Sequence, residues 1–596
     1  MAVSIETMTE ITSHVSEQAA ANIQQWLQEP KYAEYRPEVV AMIESGKWRE
    51  LEDAFFKVAE FGTAGIRGVT GVGSNRINRV TIGCATQALC QYMAEHDPAL
   101  QQRGIVIAYD TRLTSVELSR YAASVVAANG FTAYLFDGFR STPELSFAVR
   151  YMGCAAGIVL TASHNPPSDN GFKAYWSDGC QLIAPHDKGV VEKAAAVTEI
   201  QSIDFDEAVR QGRIVMVGED VDTAYVQTVV GTSVTDERDV AVAYSSLHGA
   251  GQTNTLPILR KAGFTQVYAV DAQLVPDGHF PTIPSGKPNP QDPPANDMAV
   301  ALMHDKHADI AITNDPDADR FGVMVRQGSE TIYLSGNQAA MLATDYVLGA
   351  LQQRGELTPD HYVVKTIVTT DMMDALAAYY GVECVSNLLV GFKYVGQTIR
   401  EREGTTKQFV IGAEESFGFI KGEYARDKDG ASGALMIAEY AAQLKRTGRT
   451  LHDRLLELYV QHGYHLEHLI DVAYPGADGF ERMQSIMKGL RAQPPTEVGG
   501  HEVTAVTDYQ TLERTDTKSG EKTQVDGTAG NVVVLELDGD RRRRLTVRPS
   551  GTEPKIKVYG MWYEAADVNA DALDHYNQLT ASLRQLVTSF ETMITM

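Results

Sequence analysis

The chain has 596 residues, 44% apolar and 22% charged, a composition that excludes a fibrous or disordered protein, at a length that calls for several domains. Its 52 Lys and Arg face 77 Asp and Glu, a net charge of −25, which argues against nucleic acid or an anionic membrane as the main partner. Any anionic ligand must meet a local basic site, because charges act over only about 8 Å at physiological salt.

The first sixty residues place Trp26, Leu27, Tyr32, Tyr35, Val39, Met42 and Ile43 at loose helical spacing and are predicted helical. They hold no basic start leading into an apolar stretch, and no run of about 20 apolar residues occurs anywhere, so a cytoplasmic protein is expected. From Gly62 the pattern changes. Short apolar runs ending in Gly, Asp, Ser or Thr alternate with helix-like stretches: GIVIAYDTR, LSRYAASVVAANG, TAYLFDG, PELSFAVRYM and AAGIVLTASHNP. This alternation predicts βαβ units and a mainly parallel sheet.

It returns from about residue 240 with VAVAYSSLHGAG, VYAVDAQ and ADIAITNDPDADR, and from about 360 with HYVVKTIVTT, CVSNLLVGFKYVG and QFVIGAEESFGF. No close sequence repeat links these three α/β units. The end reads differently, with VVVLELDGD, RRRRLTVRPS and KIKVYGMWYEA as adjacent strands and a helix from about Asp571, a smaller α+β domain. The expected domains are residues 1–212, 213–330, 331–465 and 466–596. Cys84, Cys90, Cys154, Cys180 and Cys384 form no Cys-x-x-Cys pair or zinc pattern and read as reduced, mostly buried thiols.

Ligands of open parallel sheets meet the carboxyl ends of the strands, so the residues just after each apolar run matter most. Thr161-Ala162-Ser163-His164-Asn165-Pro166 succeeds Gly157 to Leu160, with Lys173 close behind. A lone serine there reads as a helix cap. Beside His164 and Lys173, and near a cation, it can accept and return a phosphoryl group. Asp315-Pro316-Asp317-Ala318-Asp319-Arg320 succeeds ADIAITN, and its alternate carboxylates suit Mg²⁺. An EF-hand is excluded, because Arg320 and Arg326 stand where that loop needs Gly and Glu.

Gly412-Ala413-Glu414-Glu415-Ser416-Phe417-Gly418 offers carboxylates and a hydroxyl to sugar hydroxyls, though alone it reads as an acidic turn. Arg548-Pro549-Ser550-Gly551-Thr552-Glu553-Pro554-Lys555 is a cradle for a dianionic phosphate or simply a hairpin turn. Arg541 to Arg544 just upstream are a basic patch or, more often for such a run, a solvated strand edge. There is no Walker A loop, and Gly62, Gly65 and Gly68 do not fit dinucleotide spacing, so neither ATP nor NAD dependence is indicated.

Together and in this order, the loops resemble the α-D-phosphohexomutase superfamily, which includes phosphoglucomutases and phosphomannomutases. Phe61-Gly62-Thr63-Ala64-Gly65-Ile66-Arg67-Gly68 is similar to its N-terminal opening, TASHNP to its active serine loop and DPDADR to its metal loop. GAEESFG is similar to its sugar loop and RPSGTEPK to its phosphate loop. The resemblance implies three related α/β domains and a C-terminal α+β domain around a central cleft. It makes Ser163 the phosphoserine, with Mg²⁺ held by Asp315, Asp317, Asp319 and an oxygen of the Ser163 group.

By the same resemblance Arg67, His164 and Lys173 surround the transferring group, and Lys428, in Arg426-Asp427-Lys428-Asp429-Gly430, serves proton transfer or substrate contact. Substrate contacts fall to Gly391, Phe392, Lys393, Glu415, Ser416, Arg320, Arg548, Ser550, Gly551 and Thr552. The implied partners are small sugar phosphates, interconverted between hexose 1- and 6-phosphate through a sugar 1,6-bisphosphate that also activates. Glucose is the expected sugar, since Glu415-Ser416-Phe417 and Gly391-Phe392-Lys393 resemble glucose-type loops. The chain length and Pro185-His186-Asp187-Lys188-Gly189 resemble the phosphoglucomutase/phosphopentomutase branch, which also contains bisphosphate synthases. A mannose or pentose phosphate is the alternative substrate, and a phosphoserine-based phosphatase or bisphosphate synthase the alternative class.

Overall fold

The computed structural model describes residues 5–59, 65–474, 479–550, 555–567 and 569–595. The N-terminal stretch forms helices Ile5–His14, Glu17–Gln28, Arg36–Glu44 and Trp48–Phe55. Their apolar residues close on one another. Trp26 stacks on Tyr32 at 4.4 Å and meets Phe55 edge-on at 5.4 Å, within a core shared by Ile23, Val39 and Leu51.

Three sheets come next along the chain. The first contains β1 (Ile66–Val69), β2 (Ile105–Tyr109), β3 (Ala133–Phe136), β4 (Ala156–Leu160), β5 (Asp169–Trp176) and β6 (Ile214–Val217), in the order β1-β5-β4-β2-β3-β6. The second contains β7 (Val242–Ser245), β8 (Val267–Ala269), β9 (Ile310–Asn314), β10 (Phe321–Gln327) and β11 (Glu330–Tyr333), in the order β11-β10-β9-β7-β8. The third contains β12 (His361–Thr366), β13 (Glu383–Leu388), β14 (Gln408–Glu414) and β15 (Gly418–Lys421), in the order β13-β12-β14-β15.

One four-strand pattern recurs in all three. A first strand lies between the second and third, parallel to both, and a fourth returns antiparallel against the third. The sheets are therefore mainly parallel, as expected, with one antiparallel margin. The first sheet runs on to β6, past residue 212, and the second to β11, past residue 330.

Burial on both faces explains the solid apolar runs of the central strands. Ile105 and Ile107 of β2 pack with Leu135 and Ile158 on one face, while Val106 and Ala108 pack with Phe136 and Val159 on the other.

The fourth sheet is antiparallel. It begins with β16 (Tyr464–Ala473), continues through β17 (Glu497–Val498), β18 (His501–Asp508), β19 (Glu513–Asp516), β20 (Lys522–Gln524) and β21 (Val533–Leu537), and ends with β22 (Asp540–Pro549) and β23 (Lys555–Glu564). Its order is β16-β23-β22-β21-β18-β19-β20, with β17 paired to β18, and helix Ala572–Thr595 packs on β16 and β23.

Of the four arginines, Arg541 and Arg542 are solvated as expected, whereas Arg543 and Arg544 are partly buried. Arg543 lies over the Trp562 ring at 4.5 Å, and Arg544 crosses to the third unit, donating to Asp371 Oδ1 at 2.9 Å. Lys365 Nζ donates to the same oxygen at 2.8 Å. Burial disfavours a charge on Asp371, but Arg544 and Lys365 outweigh it and hold the carboxyl far below its usual range. All five cysteines are free, and among the described residues no helix is long and apolar enough to cross a membrane.

Replacing Asp371 with Ala strands Arg544 and part of the Lys365 charge at this junction, an expected loss of about 3 kcal/mol. Hydrogen exchange checks it: amides of β22 and of residues 366–372 should exchange roughly 10²-fold faster in Asp371→Ala.

Candidate active site

Each of the three α/β sheets presents one motif at the same place, the hairpin between its third and fourth strands. The β4–β5 hairpin carries Thr161 to Pro166, β9–β10 carries Asp315 to Arg320, and β14–β15 carries Glu415, Ser416 and Phe417. The parallel strands end there, so the turns face whatever binds at the carboxyl edge. Every turn also holds a non-glycine residue in the left-handed region: Ser163 at φ 53°, Ala318 at φ 51° and Phe417 at φ 64°. That conformation costs on the order of 1 kcal/mol per residue and persists only where surrounding contacts impose it.

Ser163 and Asp315, 152 residues apart, meet between the first and second units, with Ser163 Oγ donating to Asp315 Oδ2 at 2.6 Å. His164 Nδ1 stands 3.1 Å from the same Oγ and, with the hydroxyl proton directed to Asp315, acts as donor. Desolvation, Arg320 and Arg67 push the His164 pKa well below its usual value, so the imidazole is neutral at physiological pH.

Asp315, Asp317 and Asp319 are all buried, with carboxylate oxygens within 4.8 Å of one another. Three like charges in such a place require cations from elsewhere. Lys173 of β5 donates to Asp317 Oδ2 at 2.7 Å and Asp319 Oδ2 at 3.1 Å, and Lys428 of the third unit donates to Asp319 Oδ2 at 2.8 Å. Burial opposes ionisation of Asp319, but Lys173 and Lys428 hold it far below its usual range. Burial with Asp317 and Asp319 pushes Asp315 the other way, well above the carboxylate range.

Asp317 Oδ1 and Asp319 Oδ1 are buried without a hydrogen-bond partner. Leaving such atoms unpaired costs about 1–3 kcal/mol each, a debt that a cation between the carboxylates removes. The oxygen-only donor set fits a hard divalent ion.

The Lys428 segment joins the three units. Asp427 accepts hydrogen bonds at 2.7 Å from both Tyr175 and Gln181 of the first unit. Asp429 accepts from Tyr225 at 2.7 Å and caps helix Gly430–Lys445. Gly430 approaches so closely that a Cβ there would lie 2.5 Å from Asn314 Nδ2.

Arg67, on β1, pairs in register with Gly171, and its Nε is buried without a hydrogen-bond partner. Arg320 Nε lies 3.7 Å from Asp319 Oδ1. Gly391 adopts φ 132° and donates its N–H to Glu414 Oε1 at 2.8 Å. Phe392 is 3% exposed and joins the third unit's core. Lys393 turns toward the first unit, with Nζ 4.0 Å from Asp187 Oδ2. Glu415 Oε2 is buried and unpartnered, while Ser416 is half-buried.

Burial raises the Tyr559 pKa and Glu415 adds to it, while Arg548, hydrogen-bonded to that phenol, opposes. The Ser550 N–H donates to Lys555 O at 2.8 Å. Gly551, Thr552 and the Phe61 to Ala64 part of the opening motif lie outside the described residues.

Four further residues belong to the site without having stood out in the sequence. Asp110 and Arg112 come just after the apolar run of β2, where they carry the same strand-end signal as the serine and aspartate motifs. Thr142 Oγ1 donates to Asp317 Oδ2 at 2.8 Å from a helix start that has no distinctive spacing. Glu414, inconspicuous within its own motif, has its pKa raised to about 7 by burial, with Glu415 adding to it and Lys428 and Arg320 opposing.

The sequence matches three successive family descriptions, phosphoglucomutase/phosphomannomutase alpha/beta/alpha domain I over residues 58–201, domain II over 223–328 and domain III over 335–461. It is 35% identical over 516 residues to a phosphoglucomutase of Staphylococcus aureus strain MRSA252, covering 86% of this chain and 90% of that protein. The chain belongs to the phosphoglucomutase/phosphomannomutase family. Membership makes it an isomerase that works by phosphoryl transfer. Strain N315 of Staphylococcus aureus has a phosphoglucomutase of the same 35% identity and coverage.

Solved structures share the family fold. The open form of pp63/parafusin (phosphoglucomutase) from Paramecium superimposes with a TM-score of 0.63 at 16% identity, over 89% of this chain and 96% of that one. A phosphoglucomutase/phosphomannomutase family protein from Burkholderia thailandensis gives 0.59 at 18% identity, over 89% and 98%.

Glu414 makes the stability of this family member depend on pH. Between about 4.5 and about 7 the folded chain keeps a proton on Glu414 that the unfolded chain releases, so stability falls as pH rises through that window. Urea unfolding at pH 5 and 7.5 should lose up to about 3 kcal/mol more in the wild type than in Glu414→Gln.

Proposed function

We propose that this family member is a phosphosugar mutase that interconverts hexose 1-phosphate and hexose 6-phosphate, with glucose as the sugar, through phospho-Ser163 and a sugar 1,6-bisphosphate. The observation that carries the reading is the Ser163 hydroxyl on Asp315, within a buried carboxylate triad that Lys173 and Lys428 neutralise from two other units. Glucose is favoured by the phosphoglucomutase relatives and by the Glu415-Ser416 pair in the third hairpin.

In the forward step the sugar hydroxyl oxygen bonds to phosphorus, the Ser163 Oγ–P bond breaks, and the hydroxyl's proton is delivered to Ser163 Oγ. The bisphosphate turns over and its other phosphoryl group returns to Ser163 by the reverse exchange. Mg²⁺ held by Asp315, Asp317 and Asp319 would add electrostatic stabilisation of the charge spread over the phosphoryl oxygens. Lys173 and Lys428 supply fixed positive charge beside it. Burial opposes the Lys428 charge, but Asp319 and Asp427 raise its pKa, so it stays protonated. Arg67 and His164 orient the transferring group. Glu415 and Ser416 meet the sugar hydroxyls, and Arg548 with Ser550, Gly551 and Thr552 holds the phosphate that is not reacting.

The test is turnover of glucose 1-phosphate with Mg²⁺ and a trace of glucose 1,6-bisphosphate, beside mannose and ribose 1-phosphates. Glucose phosphate should turn over fastest, EDTA should abolish the reaction and Mg²⁺ restore it. Ser163→Ala should fall to background, and Lys428→Ala should lose about 10²–10³ in kcat. Full activity in Ser163→Ala, or phosphate release without isomerisation, would overturn the reading.

A further inference from the structure

The serine turn is held from below by a residue that touches neither the carboxylate triad nor the sugar loop. Arg112 is 2% exposed, and its guanidinium donates to four backbone carbonyls of one segment. Nη1 reaches Pro166 O at 2.7 Å and Asp169 O at 2.9 Å, while Nη2 reaches the carbonyls of Asn165 and of Ser163 itself. Its Nε faces Asp110 Oδ2 at 3.3 Å, and Phe280 covers the fork with its ring 5.3 Å away.

Asp110 completes the support. Its Oδ1 accepts from the Arg112 N–H at 3.0 Å and Ser115 Oγ at 2.7 Å, and its Oδ2 accepts from Thr161 Oγ1 at 2.6 Å. Thr161 Oγ1 in turn accepts the Ser163 N–H at 2.8 Å. Both ends of the Ser163 residue, its N–H and its carbonyl, are thereby tied to the Asp110–Arg112 pair.

On the reading that Ser163 is the phosphoryl carrier, we propose that Arg112 is a positioning residue that holds Ser163 in its left-handed conformation and so keeps Oγ against Asp315. The strand pairings of the first sheet do not require this contact, since β2 and β4 pair through their own backbones. What Arg112 fixes is the turn. A guanidinium suits the task because its planar fork presents several donors in fixed directions, whereas a lysine has three donors on one atom and cannot span four carbonyls spread from residue 163 to residue 169. A small displacement of the acceptor oxygen is enough to slow an in-line transfer without changing how the sugar is bound.

The experiment follows phosphoryl uptake on Ser163 from glucose 1,6-bisphosphate by rapid quench and phosphopeptide mass spectrometry, together with steady-state kinetics, in the full chain. Arg112→Lys should slow uptake and kcat in parallel, by about 10²-fold, with KM for glucose 1-phosphate within about threefold of wild type. Asp110→Asn, which keeps Arg112 and the side-chain shape but removes the counter-charge, is the second variant should Arg112→Lys not fold. It should show a smaller loss with the same split. A purely structural role would lower the yield of folded enzyme while leaving uptake per folded molecule at the wild-type rate, and that result overturns the proposal, as does a loss confined to KM. Absence of uptake in the wild type would overturn the phosphoserine reading itself, and this inference with it.

Discussion

The arrangement of this molecule turns on three aspartates that share one buried turn. Asp315, Asp317 and Asp319 cannot all be ionised at that depth without positive charge beside them, and their own unit offers Arg320. Lys173 arrives from the first unit and Lys428 from the third. A single electrostatic demand thus holds three sheets in register around one point. Desolvation makes each pair costly to break while adding little net stability, so these contacts specify arrangement more than they strengthen the fold.

The repeated hairpin explains why the chemistry collects there. In every sheet the third parallel strand ends and the chain turns back antiparallel, which leaves a tight turn at the carboxyl edge. The three turns carry three different sets of groups: a serine, a carboxylate cluster and a carboxylate–hydroxyl pair. Each contains a residue forced to positive φ, and around Ser163 the force is visible as the carbonyl bonds of Arg112 and the Asp110–Thr161 link. Local strain at a reacting group is compensated by hydrogen bonds made elsewhere.

The fourth unit is attached by other means. Arg544 and Lys365 meet on Asp371 at its base, while Arg548 is hydrogen-bonded to the Tyr559 phenol. The arginine run of β22 is therefore divided between jobs. Arg543 stacks on Trp562 and Arg544 fastens the unit to its neighbour. Alternation along one strand, which sends successive side chains to opposite faces, separates these two.

Much of this was legible in the order of residues. Alternating apolar and helical stretches identify three α/β units, because strands covered on both faces must be apolar throughout. Motifs at strand ends identify the turns, since only there can polar side chains gather without disturbing a core. The order could not reveal that Phe392 turns inward, that Arg544 fastens on Asp371, or that Asp110 and Arg112 support the serine. Those outcomes depend on partners far away in the chain: Asp371 for Arg544, the core around helix Phe392–Arg402, and carbonyls more than 50 residues from Arg112. Sequence determined which groups stand at strand ends. Only tertiary packing, by balancing buried charges and unpaired backbone groups across units, decided which of them meet.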